Sequence, residues 1–213
     1  MSKYGHRTNN WFEAIVNKLG GEDAAEKFLR DELTVSEPVR AWEERDGVIY
    51  FTVTFVRRTG EEWILYLKSK GFRVSDYAKS VLRSSDFKST NGVTYNIAVL
   101  KGMLFQDSER VTKNIRAKAD RRKLTKPNAE VACLIREKFT DKELEAMGFW
   151  RIVAMHEPIN DSNGVPRLLF ADRDGGGRWL STACGRPGDG WGRGSGFAFV
   201  VSQVSAQDSA TEN

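Results

Sequence analysis

Apolar residues recur at helical spacing in Trp11, Phe12, Ile15, Val16 and Leu19, and Gly20 interrupts them. That pattern predicts a first helix capped by Asn10. After Gly20-Gly21, Ala24, Ala25, Phe28 and Leu29 share one face of a second helix, near 23–33, and the pair reads as an αα-hairpin. Residues 34–46, with Pro38, read as a connector. The period then changes from helical to extended. Val48 to Val56 is a run of β-branched and aromatic residues, the strongest strand signal in the chain, and its length suggests a central place in a sheet. Thr59 and Glu62 stand in capping-box register ahead of Trp63, Ile64 and Leu67, and Gly71 ends that helix. A further helix from Ser75 carries Tyr77, Ala78, Val81 and Leu82. Asn91-Gly92 marks a turn before a second strand, 93–100.

A helix over 108–123 follows, with a narrow apolar stripe of Val111, Ile115 and Ala119, so most of its circumference is expected to face water. Pro127 suits the first turn of the next helix, in which Val131, Leu134, Ile135 and Phe139 form a broader apolar face. Thr140 and Glu143 repeat the capping-box pattern, and Gly148 closes a short helix. Beyond it the texture becomes strand and turn: 150–155, 167–171, 178–182 and 196–204 are predicted strands. The expected fold is therefore α+β. An N-terminal α+β domain spans 1–148, a small antiparallel sheet or open barrel spans 149–205, and 206–213 forms a mobile polar tail.

Composition changes this picture little. With 213 residues, 40% hydrophobic and 29% charged, the chain is long enough and apolar enough for a sizeable core. No apolar run approaches the roughly 20 residues that span a bilayer, and no apolar segment follows the first basic residues, so a cytoplasmic protein with no membrane partner is expected. Cys133 lies in an apolar helical stripe and Cys184 in a glycine-rich stretch, which predicts two reduced, unpaired thiols.

Charge changes it more. Between Arg110 and Lys126 eight basic residues meet one acid, Asp120, giving +7 within a chain of net +4 and leaving −3 for the remainder. A solvated helix usually mixes both signs, so this concentration points to a polyanion. The candidate contacts are Lys113, Arg116, Lys118, Arg121, Arg122, Lys123 and Lys126. RNA or an acidic protein surface is favoured over DNA, because no duplex-reading motif accompanies the patch. The helix–Gly–helix stretch from Thr59 to Arg83 has the outline of a helix-turn-helix, but its second helix offers only Lys79 and Arg83 as basic residues.

The segments KLTKPNAEVACLIREKFTDKELEAMGFWRIVAMHEPINDSNG (123–164), LGGEDAAEKFLRDELTVSEP (19–38), KGFRVSDYAKSVLRSSDF (70–87) and the closing GFAFVVSQVS resemble a family of uncharacterised bacterial proteins of similar length. The resemblance implies a natural family and carries no activity, cofactor or catalytic residue onto any position.

Candidate chemistry is sparse. His156, with Asp161 or Cys184, is the one set that suits a small hydrolase or transferase, since a histidine titrates near neutrality. Against it, adjacent strand residues point to opposite faces, and Pro158 ends the strand, which favours a strand-end histidine bonded to backbone. His6, His156, Cys133 and Cys184 show no metal-ligand spacing. Asp172 and Asp174 read as turn residues, and Gly175-Gly176-Gly177 lacks the lysine and hydroxyl of a phosphate loop. No metal and no cofactor is expected. Nine glycines between Asp172 and Gly196 are interleaved with arginines and with Trp179 and Trp191. That mixture can stack bases or present a tryptophan to a peptide, although tight hairpins whose tryptophans fill the core are the favoured explanation. The leading expectation is a non-enzymatic binding protein that engages RNA, a ribonucleoprotein or another acidic macromolecule through its basic helix. The alternatives are the His156 enzyme and a protein–protein adaptor.

Overall fold

The computed structural model describes residues 8–34, 40–174 and 177–202. The expected tail, 206–213, lies outside them. The chain divides into two units, one ending at Arg40 and the other beginning at Ala41.

In the first unit α1 (Asn9–Leu19) and α2 (Glu22–Leu29) form the expected hairpin, turned by Gly20 and Gly21 at φ of 110° and 100°. These left-handed values are strained for any residue with a Cβ. Helix α1 starts one residue before Asn10, so the cap position falls to Thr8, whose side chain makes no capping bond. Helix α2 ends at Leu29, four residues short of the expected limit, where Asp31 turns left-handed. Neither helix buries a residue.

In the second unit ten strands of the described residues make one open sheet. They are β1 (Glu43–Arg45), β2 (Val48–Val56), β3 (Arg73–Val74), β4 (Asn91–Lys101), β5 (Leu124–Thr125), β6 (Arg151–Ala154), β7 (Ile159–Asn160), β8 (Pro166–Asp174), β9 (Gly177–Cys184) and β10 (Ser195–Val201). The main path runs β1-β2-β4-β10-β6-β8-β9-β3, with β5 beside β10 and β7 beside β8. Two pairings are parallel, β10 with β6 and β9 with β3. The α+β class is as expected, but the boundary at 148/149 separates nothing. The last strand, β10, inserts between β4 and β6, so strands from both sides of residue 148 share one sheet.

The faces of the sheet are covered unequally. Helices α3 (Gly60–Ser69), α4 (Asp76–Arg83), α6 (Glu130–Lys138) and α7 (Asp141–Ala146) line the first face. There Trp63, Ile64, Leu67, Val81, Val131, Ile135 and Leu144 join Phe51, Val53 and Phe55 of β2 in one buried cluster. Each such side chain contributes about 1.5–3 kcal/mol by leaving water. Both expected capping boxes form, at Thr59/Glu62 and Thr140/Glu143. Helices α3 and α4, the helix-turn-helix outline, turn their apolar sides into this core and pack so closely that a Cβ on Gly60 would lie 1.7 Å from the Leu82 carbonyl oxygen. Of this unit's described helices one, α5 (Thr112–Arg121), lies on the second face, where its Ile115 and Ala119 pack with Leu100, Phe105, Val153, Phe170, Trp191 and Phe197. No described helix is long and apolar enough to cross a membrane.

Candidate nucleic-acid interface

Helix α5 is shorter than the expected 108–123, because residues 107–109 form a single 3₁₀ turn and Val111 takes the extended N-cap conformation. Its start is fixed by the loop before β10. The backbone N–H of Thr112 donates to the Asp189 carbonyl (3.1 Å), that of Lys113 donates to the Pro187 carbonyl (2.9 Å), and Val111 bridges Gly190. These carbonyls satisfy donors that a free helix end leaves open. The same contacts bring part of the glycine- and arginine-rich segment against the helix, with Arg186 exposed beside it.

The eight basic residues of the segment divide into two groups. Arg110 is buried and donates to the carbonyls of Gly102 (2.8 Å) and Phe105 (2.9 Å) and to Asp107 (2.7 Å), so it serves the fold. Arg116 and Lys118, expected on the wet face, are half-buried. Arg116 Nη2 donates to the His156 carbonyl (2.7 Å) while its Nη1 lies 3.6 Å from Glu157 Oε2, and Lys118 Nζ donates to the Leu104 carbonyl (2.8 Å). Lys126 is exposed and pairs with Glu157, whose carboxyl it holds below the usual carboxylate range. The remaining cations, Lys113, Arg121, Arg122 and Lys123, are exposed and have no acidic partner within 4 Å among the described residues. Three of the four are consecutive and close the helix at its negative end. Lys123 adopts φ of 57°, a left-handed position that costs an L-residue about 1–2 kcal/mol and that glycine fills more cheaply.

His156 is wired into the backbone. Its Nδ1 lies 2.5 Å from the Glu157 carbonyl oxygen, and its Nε2 accepts the Leu169 N–H at 3.0 Å. A carbonyl only accepts and an N–H only donates, so the ring is neutral with its proton on Nδ1. Burial pushes its pKa down to about 4. Asp161 lies apart from it, receiving the N–H groups of Asn163 and Val165 and pairing with Arg167 at 2.7 Å. Cys184 sits half-buried at the end of β9, opposite Arg167, and both cysteines are free. His156 thus makes its hydrogen bonds to backbone, and neither Asp161 nor Cys184, its alternative partners in the hydrolase reading, is among them. His156 lines a groove of about 460 Å³ with Lys88, Lys126, Asn128 and Glu157, but both ring nitrogens are taken by backbone.

The two candidate stacking residues also separate. Trp191 is a core residue: it is 8% exposed, its Nε1 donates to Thr112 Oγ1 (3.0 Å), and its ring meets Phe197 edge-on. Trp179 is half-buried beneath the guanidinium of Arg73 at 5.3 Å. Two residues that sequence reasoning passed over lie two strands away: Arg151, in register with it through Asp172, and Trp150, which is 39% exposed and lies under the Arg151 guanidinium. Only the strand register reveals them. Among the described residues no group of three His, Cys, Asp or Glu side chains gathers as a metal site. Comparison with protein-family models, with curated proteins and with solved structures found no match.

Proposed function

We propose that the protein is a non-enzymatic binding protein that engages a polyanion, RNA foremost, through the exposed end of α5. The observation that carries this reading is the run Arg121-Arg122-Lys123, which is exposed and without acidic partners. Lys123 also occupies a backbone position that favours glycine. A solvated face has no need of three unneutralised charges in sequence, nor of a lysine in a strained conformation. The backbone-locked His156 weighs against the hydrolase alternative.

The test is the salt dependence of binding to a single-stranded oligoribonucleotide. Each neutralised phosphate contributes about −0.7 to the log–log slope, so Lys113, Arg121, Arg122 and Lys123 together give about −2.8. Affinity then falls about 50-fold between 50 and 200 mM salt. Replacing Arg121, Arg122 and Lys123 with glutamine leaves a slope of about −0.7 and a fall of about threefold, in a protein whose circular dichroism is unchanged. A folded variant with the parental slope, or no binding by the parent at low salt, removes the proposal.

A further inference from the structure

Strand β2 is paired along its whole length on one side, by β4, but β1 covers its other side only from Val48 to Tyr50. The β1–β2 turn, Asp46-Gly47, has φ of 51° and 72°, the values of a two-residue hairpin loop, whose flanking residues Arg45 and Val48 form a hydrogen-bonded pair. Such pairs alternate along a strand. Val48 and Tyr50 therefore turn their N–H and C=O groups toward β1, Phe51 and Val53 turn theirs toward β4, and Thr52 and Thr54 aim theirs outward beyond the end of β1. None of these outward groups has a partner among the described residues.

Chains blunt a free edge with charge, proline or short strands. The stretch Glu43-Glu44-Arg45 does so for the first part of β2, being short, charged and exposed. Phe51 to Val56 carries neither charge nor proline, and the one irregularity, a register shift between Thr54 and Val56, lies past the open pair. Helix α6 walls this edge. Its Leu134, Glu137 and Lys138 stand with Thr52, Val53 and Thr54 around a groove of about 250 Å³. Val53 and Leu134 are buried and supply the apolar part. Glu137 is engaged: Tyr66 Oη donates to its Oε1 at 2.5 Å, and Arg58 Nη1 lies 3.5 Å from its Oε2. Lys138 is exposed, its Nζ 5.7 Å from the centre of the Phe139 ring, and it has no acid within 4 Å among the described residues. Arg58 offsets Glu137, so the charge left open at the groove is the lysine's.

We propose that the open edge of β2 binds an extended acidic segment of a partner protein as an added antiparallel strand. Main-chain bonds to Thr52 and Thr54 hold it, and one side chain, opposite Val53, enters the groove. A glutamate there lays its methylenes on Leu134 and brings its carboxylate to Lys138. A second copy of this chain fits less well, because its own Val53 is already buried in its core and its Phe51 to Val56 edge offers no acid. The site goes beyond the α5 reading and stands without it.

Backbone amide signals of Thr52 and Thr54 test the site. Titration with acetyl-Ser-Thr-Glu-Thr-Ser-amide is expected to move both saturably and to slow their hydrogen exchange. The same peptide N-methylated at its two threonines loses the donors that meet β2 and should not bind, a comparison that leaves the protein unaltered. Lysine in place of the peptide's glutamate should weaken binding. Lys138→Gln, an exposed change, should lower affinity for the glutamate peptide about fivefold, as for an ion pair at a solvated rim. Signals that ignore the peptide, equal binding of the N-methylated form, or undiminished affinity in Lys138→Gln overturns the proposal. Thr52 and Thr54 amides already protected in the free protein also overturn it, and sedimentation then tells a second copy from another part of the same chain. Salt-dependent RNA binding without a peptide response removes this site and leaves the α5 reading standing. A peptide response without RNA binding does the reverse.

Discussion

His156 makes stability depend on pH, with a sign and size that the structure fixes. The ring is buried and neutral, and its pKa is about 4 against 6.5 when exposed. Below pH 6.5 the unfolded chain binds a proton that the folded chain refuses until about pH 4. The folded state is therefore penalised as pH falls through this window, and the penalty levels off below it. A gap of about 2.5 pH units, at 1.36 kcal/mol each, amounts to about 3 kcal/mol lost between pH 6.5 and 4. Glu130 acts in the opposite sense. Burial raises its pKa, even though Thr90 and Trp63 donate hydrogen bonds to it, so its penalty eases as pH falls through that raised value. Comparing the protein with His156→Gln cancels this contribution. Urea unfolding from pH 7 to 4 should show the parent's advantage over the variant shrinking by about 3 kcal/mol. Nitrogen shifts of the ring should report the Nδ1–H form throughout the neutral range. A constant difference between the two proteins, or a His156 ring that titrates near 6.5, refutes the reasoning.

Other substitutions test the packing and the cost of the cationic end of α5. Gly60→Ala places a Cβ 1.7 Å from a backbone oxygen, and neither partner is a flexible side chain. Helices α3 and α4 must part, at about 2–3 kcal/mol, and thermal denaturation should show a fall of roughly 4–12 °C. A parental melting temperature would mean that the two helices are not so close. Lys123→Gly separates stability from binding: it relieves about 1–2 kcal/mol of left-handed strain and adds about 0.5–1 kcal/mol of chain entropy in the unfolded state. The variant should be about 0.5 kcal/mol more stable in urea, while its salt slope for RNA loses about 0.7. A variant that is less stable, or that binds RNA as the parent does, contradicts one half of that account.

The features legible in the sequence are those whose cause is local. Val48 to Val56 is a strand because β-branched and aromatic side chains fit a pleated surface, and its burial alternates from Phe51 onward. Thr59/Glu62 and Thr140/Glu143 fix helix starts because each box closes within four residues. The domain boundary was not legible. Nothing near Ser195 to Val201 says that this strand pairs in parallel with Arg151 to Ala154 and antiparallel with a segment about a hundred residues earlier. The basic segment announced its charge, but the assignment of each cation depends on distant acceptors. The carbonyls of Gly102 and Phe105 take Arg110, that of His156 takes Arg116, and that of Leu104 takes Lys118. In the glycine-rich stretch Trp179 and Trp191 looked alike, and only the sheet buries one and leaves the other half open.

The asymmetry of the two faces connects these observations. The first face, under four helices, buries most of the large apolar side chains and carries paired polar groups such as Glu130, which receives Trp63 Nε1 at 2.8 Å. The second face, where α5 is the one helix of this unit, carries a lysine in a left-handed position and three consecutive exposed cations, while buried donors without partners among the described residues occur on both faces, Trp179 Nε1 on the second and Arg136 Nε on the first. The left-handed Lys123 subtracts from stability, whereas the cations at the end of α5 meet the negative end of its dipole and repel one another until an anion neutralises them. A sequence shaped only for stability would place glycine at position 123. On the reading proposed above, the exposed end of α5 on that face, and not the groove beside His156, is where a polyanion meets the protein.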